Sequence, residues 1–450
     1  MQISTVKFSQ IEDRIDAKYY KPVYLELEKI LNKSFNFKTL REISTKIIDG
    51  PFGSDLLKSE YMKEGVPLFR VKNVSGDGIN LNDLVFITKE KQKELQRSKV
   101  LAGDLVITKA GRVGTVDIVP SSIPEANITS HLAKISLKKG YNPYFVYVYL
   151  NTRLGLLQIE RQGIKSTKPE LNIDEVAITK IIIPSQSFQQ KIEKIIKEAQ
   201  EKRKSADGKY RKAEEVLNKE LGLKDLDLST QKTFEAKFSE AEDRFDPGYY
   251  QPKYKKIISK LKNQKTISLG EMVKIRKGVE VGYEAYTTEG KPFVRVQDYD
   301  KKEISFSTST NYIRQYLYEE LKKKHKPDVG EIIFSKDGTI GRALVIPRDN
   351  HEFVVSGGTL ILTVQDVDNY YLALVLNSEA VHSQAVRNSI GAIIQHLSVD
   401  EVKNLKIPIL SKSIQQKISS LIHQSFRLHK GARDLIKKAK MQVEKMIEKN

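Results

Sequence analysis

Cysteine is missing from all 450 residues. Its absence removes disulfides, thiol nucleophiles and every cysteine-containing zinc site at once, and it fits a reducing compartment. Long apolar runs are missing too. The longest, around Phe145 to Leu150 and Ile181 to Ile183, fall far short of the roughly 20 residues that a membrane span needs. The opening MQISTVKFSQ lacks the basic head and apolar core of a secretory signal. A cytoplasmic protein with no membrane partner is therefore expected. No G-x-x-x-x-G-K-[ST] phosphate loop occurs, and the seven histidines never form H-E-x-x-H or a close cluster. Neither a nucleoside triphosphate site nor a metal site is expected in this chain.

Negative charge is in short supply. Aspartate and glutamate total 57 against 76 lysines and arginines, a formal charge of +19. Such an excess favours a polyanionic partner, nucleic acid first, although basic side chains can also serve only to solvate a fold. Hydrophobic content of 39% is that of a globular protein, and the length allows two or more domains.

What is present above all is a repeat. FSQIEDRIDAKYYKPVY, Phe8 to Tyr24, faces FSEAEDRFDPGYYQPKY, Phe238 to Tyr254, with 10 identities in 17 positions. KIIDG at Lys46 faces KIRKG at Lys274, and GVPLFRV at Gly65 faces GKPFVRV at Gly290. GDLVITKAGRVGTVDIVP at Gly103 faces GEIIFSKDGTIGRALVIP at Gly330, with Lys109, Gly111, Gly114 and Pro120 matched by Lys336, Gly338, Gly341 and Pro347. IDEV at Ile173 becomes VDEV at Val399, and SFQQKI at Ser187 becomes SIQQKI at Ser413. The offset drifts only between 225 and 230. A period of domain size excludes a short-repeat solenoid.

Each copy reads alike. Tyr20, Tyr24, Leu27 and Leu31, with Tyr250, Tyr254, Ile257 and Leu261, recur at helical spacing and predict an amphipathic first helix. LVITKAGRVGTVDIV reads as two strands around a tight turn, and Asp337-Gly338 is a two-residue hairpin signal. Asn142-Pro143 reads as an N-cap with proline in the first helical position, opening a helix through about Gln158, with a counterpart starting near Asn369. Ile192, Ile195, Ala199, Ala206, Tyr210, Ala213 and Leu217 follow a heptad-like series interrupted near Lys202. Ile418, Leu421, Ser425, Leu428, Ala432, Leu435, Ala439 and Met446 form a second. Both predict long helices with a coiled-coil seam. At about 35 residues each they would be roughly 50 Å long. Their stripes need partners, and in a repeated chain with a pseudo-two-fold axis the two helices would pair antiparallel. The fold class expected is α+β.

Duplicated GxPxxR, G[DE]xxxxKxGxxG and xQQKI motifs, the last opening a long helix each time, resemble the specificity subunit of Type I restriction-modification systems. The resemblance covers essentially the whole chain. It implies two similar globular target recognition domains, each reading one half of a bipartite double-stranded DNA site, separated by two long helices that set the spacing and dock two methyltransferase subunits. Residues 1–186 would be the first recognition domain and 187–222 the first spacer helix. Residues 223–411 would be a linker and the second recognition domain, and 412–450 the second spacer helix. It implies no chemistry in this chain. S-adenosylmethionine, ATP and Mg2+ would belong to the methyltransferase and restriction subunits of the complex. A fused restriction-methylation partner in place of separate subunits, or a coiled-coil scaffold without a DNA role, are the alternatives.

Candidate DNA-contacting residues follow from basic side chains near turns. Lys109 and Arg112 flank Ala110-Gly111, Lys336 precedes Asp337-Gly338, and Arg342 lies four residues beyond it. Arginine can address a guanine edge or a phosphate in bidentate fashion. Arg70 and Arg295 follow a Gly-x-Pro turn by the same spacing, with Lys72 and Gln297 nearby. They can equally anchor a core carboxylate. Lys165 and Lys168 lie in the loop GIKSTKPELN, whose partner SIGAIIQHLS has no lysine and leaves Gln395 and His396 as weaker candidates. Asn142-Pro143-Tyr144-Phe145 misses the second proline of an adenine-methyltransferase motif and reads as a helix start. Pro327-Asp328 with Glu331 lacks the Glu-x-Lys of a nuclease site.

Overall fold

In the computed structural model of the protein the described residues are 5–6, 11, 15–32, 36–81, 84–111, 113–163, 169–237, 244–287, 289–304, 306, 310–348, 352–391 and 395–449. Two compact units divide the chain, one made of Met1–Arg203 with His429–Asn450, the other of Lys204–Leu428. Each mixes helices with largely antiparallel sheet, an α+β architecture.

The central sheet of the first unit orders its strands as Ser44–Asp49, Leu132–Leu137, Leu105–Thr108 and Val116–Ile118, all antiparallel. The run Leu-Val-Ile-Thr shows no apolar-polar alternation because both faces of its strand are covered. Leu105 and Ile107 enter the core shared with the helices, whereas Val106 enters a second core. A near-continuous apolar strand is the expected sign of double burial. Val85–Ile87, Val66–Phe69, Glu125–Ile128 and Val100–Leu101 form a second sheet, in which Val66–Phe69 runs parallel to Glu125–Ile128. The second unit repeats the central sheet as Val273–Lys277, Thr359–Val364, Ile332–Ser335 and Ala343–Val345. There Ile332 and Phe334 face one core and Ile333 the other.

The apolar helix Pro143–Leu150 opens as its sequence predicts. Asn142 Oδ1 accepts the amide hydrogens of Tyr144 and Phe145 at 3.0 and 3.2 Å, supplying partners for donors that a helix start leaves open. Asp368 does the same for Asn369–Leu376. The helix does not run on to Gln158. It stops at Leu150, and Arg153–Gly163 starts afresh. Asn151 Nδ2 donates to the carbonyls of Tyr147 and Val116, both at 2.8 Å, tying the helix end to a sheet strand. Asn377 makes the matching pair of bonds to Ala373 and Ala343. The hairpin is also wider than a two-residue turn. Ser335 pairs by its amide with the Arg342 carbonyl at 2.9 Å, which leaves residues 336–341 in the loop.

The repeated tyrosine pair has a structural answer. Tyr19 and Tyr20 meet edge to face at 5.1 Å, Tyr249 and Tyr250 at 5.0 Å. Arg161 stacks 3.8 Å from the Tyr19 ring centre while its Nε donates to the Tyr19 carbonyl at 3.1 Å. Arg387 stands 3.8 Å from Tyr249 and donates to its carbonyl at 3.2 Å. Arg244, the only member of the repeated Glu-Asp-Arg motifs within the described residues, holds Asp246 at 2.8 Å.

The long helices span Gln186–Glu220 and Lys412–Lys449. Within the first unit the start of one lies with the end of the other. Ile192, Ile196 and Ala199 share a core with Ala432, Ile436, Ala439 and Val443. Within the second unit Tyr210, Ala213 and Leu217 share a core with Ile418, Leu421 and Ile422. This is an antiparallel pairing, in which each fully buried large aliphatic side chain contributes about 1.5–3 kcal/mol. The first seam runs as its sequence predicts. In the second the buried side chains after Ser425 are His429, Ala432, Ile436, Ala439, Val443 and Ile447. Leu428, Leu435 and Met446 lie half-buried beside that line.

Candidate nucleic-acid interface

Two loops are laced together at one end of each central sheet. In the first unit the hairpin loop after Thr108 is laced to the segment ahead of Asn172. The Leu171 amide donates to the Lys109 carbonyl at 2.9 Å, and Ala110 bridges Glu170. In the second, the Leu397 amide donates to the Lys336 carbonyl at 2.9 Å and that of Gly338 to Gln395 at 2.9 Å. Gly111 and Gly338, at φ 74 and 69°, take the left-handed turn that glycine allows without strain.

The lysine retained in both loops is held internally. Lys109 is buried and its Nζ pairs with Asp49. Lys277 stands at the Asp49 position in the second copy, and there Lys336 pairs instead with Asp337 at 2.7 Å. The carboxylate has moved from the strand to the loop while the ion pair persists. Asp337 also takes His396 Nδ1 as a partner. Arg342 is half-buried, with Nη1 donating to the Tyr299 carbonyl at 3.2 Å. Arg112, Lys165 and Lys168 lie outside the described residues.

A second feature is the tight turn after each Gly-x-Pro strand. The Asn73 side chain accepts the Arg70 amide at 2.9 Å and is itself buried. Asp298 accepts the Arg295 amide at 2.8 Å, with Arg295 Nε 3.7 Å from the same carboxylate. Burial raises the Asp298 pKa, opposed by the Arg295 amide and guanidinium. Arg295 thus has the carboxylate anchor that its spacing allowed. Lys72 and Gln297 are exposed at these turns.

Two exposed aromatics were not flagged by the sequence. Phe52 is 74% exposed and Tyr283 88%, each in the segment that follows the first strand of its central sheet. The repeat gave no signal for them, since the offset of 228 that matches Gly50 with Gly278 carries Phe52 onto Glu280. An open groove of about 510 Å³ beside Phe52 carries Asp49, Pro51, Lys91, Glu94 and Arg97. Exposed rings of this kind can stack on bases, and neighbouring cations can neutralise phosphates. Among the described residues no cluster of three potential metal ligands occurs, and no helix is long and apolar enough to cross a membrane.

The model of the Type I restriction modification DNA specificity domain matches the chain twice, over residues 32–212 and 261–438. The chain belongs to that family. The two matches in this Type I specificity-domain chain fall on the two halves of the repeat, each running from the globular part into a long helix. It is 28% identical over 166 residues to the "Type I restriction enzyme EcoBI specificity subunit" of Escherichia coli, a stretch covering 37% of this chain and 33% of the relative. It is 29% identical over 181 residues to the "Putative type I restriction enzyme specificity subunit S.HindORF215P" of Haemophilus influenzae (strain ATCC 51907 / DSM 11121 / KW20 / Rd), covering 38% and 44%. The chain thus spans less than half the length of these curated relatives. A solved Type-I restriction-modification S subunit from M. genitalium covers 93% of this chain and 97% of its own, at 14% identity and a TM-score of 0.38.

Proposed function

We propose that this chain is the non-catalytic specificity subunit of a Type I restriction-modification complex, in which each recognition domain reads one half of a bipartite double-stranded DNA site. The long helices set the distance between half-sites and dock two methyltransferase subunits, and restriction subunits join the full complex. S-adenosylmethionine, ATP and Mg2+ are held by those partners. The observation that carries this reading is the duplication of the specificity domain, with divergent loops on two copies of one sheet. Two similar surfaces on a fixed scaffold suit an asymmetric site, because half-site spacing is a consequence of scaffold geometry. The net charge of +19 suits the phosphate backbone. Lys72 and Gln297, exposed at equivalent turns, and the rings of Phe52 and Tyr283 are the side chains proposed to meet DNA, with Arg70 and Arg295 holding the turns in shape. Arg342, Lys109 and Lys336 support the neighbouring loops.

The test is a methylome. The chain is co-expressed with the methyltransferase encoded beside it, and each is expressed alone, with N6-methyladenine mapped by single-molecule sequencing. A split motif marked only when both are present is the expected result. Methylation by this chain alone would overturn the non-catalytic reading. Absence of any mark, together with duplex binding that does not weaken as salt rises, would overturn the DNA-reading role.

A further inference from the structure

In the first unit the loop Ser75 to Gly78 is a clasp around a buried carboxylate. Asp117 Oδ2 accepts the amide hydrogens of Ser75 and Gly76 at 2.6 and 3.2 Å, and Oδ1 that of Gly78 at 2.7 Å. Gly76 and Gly78, at φ 83 and 113°, make that convergence possible. What the loop turns outward is negative. Lys440 Nζ, from the second long helix, lies 3.1 Å from both the Gly76 carbonyl and Asp77 Oδ1. Arg203 Nη1, from the first, donates to the Gly78 carbonyl at 3.0 Å.

The equivalent place in the second unit is inverted. The offset of 225 that aligns Arg70 with Arg295 maps Ser75, Gly76, Asp77 and Gly78 onto Asp300, Lys301, Lys302 and Glu303. The flanking Val74 and Ile79 map onto Tyr299 and Ile304, which occupy the corresponding core. Leu344 stands buried where Asp117 would be. Lys301 Nζ meets Glu214 at 2.6 Å, and Lys302 Nζ meets Asp207 at 2.6 Å, the Lys302 side chain being only 11% exposed. On the helices the offset is 226. It carries buried Ile192, Ala199, Ala206, Tyr210 and Ala213 onto buried Ile418, Ser425, Ala432, Ile436 and Ala439. By the same step Glu214 is the image of Lys440, Asp207 of Arg433, and Arg203 of His429. Loop and helix have reversed polarity together.

We propose that this paired reversal is a docking key: each recognition domain is matched by charge to its own helix address, so that the chain admits one order of domains and rejects the other. Placed at the first address, Lys301 and Lys302 would face Lys440 and Arg203. Placed at the second, Asp77 would face Glu214. A second copy of either half could not substitute for the missing one, because the first half would bring Glu214 to Asp77 and the second would bring Lys440 and Arg433 to the lysine loop. Like charges held in partly buried contact are strongly disfavoured. For DNA reading, a consequence that rests on the proposed function, the key fixes which half-site lies on which side of the spacer.

The key is tested on the full-length chain without DNA, by amide hydrogen exchange of residues 296–304. Asp207→Lys with Glu214→Lys, or Lys301→Glu with Lys302→Glu, is expected to speed exchange there about tenfold, and the four changes together to restore it to within about threefold. Exchange in the fourfold variant as fast as the two effects multiplied would overturn the proposal. A second variant exchanges residues 15–183 with 244–409. Fast exchange at both loops is expected, with protection returning when residues 203, 207 and 214 are exchanged with 429, 433 and 440. Full protection on the original helices would overturn the key. Should the exchanged chain not fold, the fourfold variant decides alone. Failure of the methylome leaves this test intact.

Discussion

Arg161 and Arg387 occupy equivalent places in the two copies but differ in one partner, and that difference can be measured. Both stack on a tyrosine at 3.8 Å and donate to its carbonyl. Among the described residues only Arg161 also pairs with a carboxylate, Glu28 Oε1 at 2.6 Å, with the arginine side chain 7% and the glutamate 25% exposed. Ile258 stands at the Glu28 position of the second copy. Methionine in place of either arginine keeps most of the apolar stem contact and removes the charge. The carbonyl bond is worth about 1 kcal/mol and the stacked cation about 1–2 kcal/mol where water is excluded. Arg387→Met should therefore cost the second unit about 2–3 kcal/mol. Breaking a buried ion pair by removing one member adds to this, so Arg161→Met should cost the first unit about 3–5 kcal/mol, nearer the lower figure because water reaches Glu28. Two units make a single unfolding midpoint ill-defined. Amide exchange in Arg153–Gly163 and Glu379–Asn388 reports each unit separately. Equal losses at the two sites would refute the assignment of the difference to the Glu28 pair, and a loss under about 1 kcal/mol at Arg161 would refute the clamp itself.

Burial pushes the Asp117 carboxyl from 3.8 up to about 6, against the opposing amides of Ser75, Gly78 and Gly76 and the charge of Arg203. A carboxyl that binds its proton more tightly when folded stabilises most below its unfolded pKa, and that contribution fades as pH rises through about 6. The first unit should lose about 2 kcal/mol from this group between pH 4 and 6.5, and urea titrations should show Asp117→Asn flattening that slope. Gly50 and Gly278 are close approaches: an added Cβ would lie 2.2 Å from the Thr129 carbonyl and 2.1 Å from that of Ser356. Alanine at either should cost about 2–4 kcal/mol in urea unfolding, whereas Gly53→Ala, with nothing within 4 Å, should be near neutral. Lys72→Ala should weaken duplex binding evenly across sequences and reduce the slope of log affinity against log salt by about 1, as read by fluorescence anisotropy. Gln297→Ala should leave that slope unchanged.

Features encoded by spacing were readable from the chain alone. The duplication, the capped helix start at Asn142 with its counterpart near Asn369, and the antiparallel pairing follow from residue order, because each depends on local chemistry or on a stripe needing cover. The second helix seam was misread at Leu428, Leu435 and Met446, since leucine and methionine beside a seam look like members of it. Adding 226 to the buried positions of the first helix points instead to Ile436 and Val443. The end of Pro143–Leu150 was hidden because Asn151 stops it through a bond to Val116, 35 positions away in sequence. The repeated lysine looked like a free hairpin-tip cation. Its partner is Asp49 in one copy and Asp337 in the other, and such a migrating carboxylate leaves no matched pair in the alignment.

The first unit is closed by residues made long after the rest of it. Its core takes in Ala432, Ile436, Ala439, Val443 and Ile447, yet Lys204–Leu428 lies between them and the rest of that unit. On a ribosome adding about 5–20 residues per second, the first recognition domain would wait about 10–45 s for its final helical segment. Throughout that time Ile192, Ile196 and Ala199 have no Ala432 or Ile436 to cover them. Truncation after Leu428 would accordingly injure the unit made first, and spare more of the one made after it.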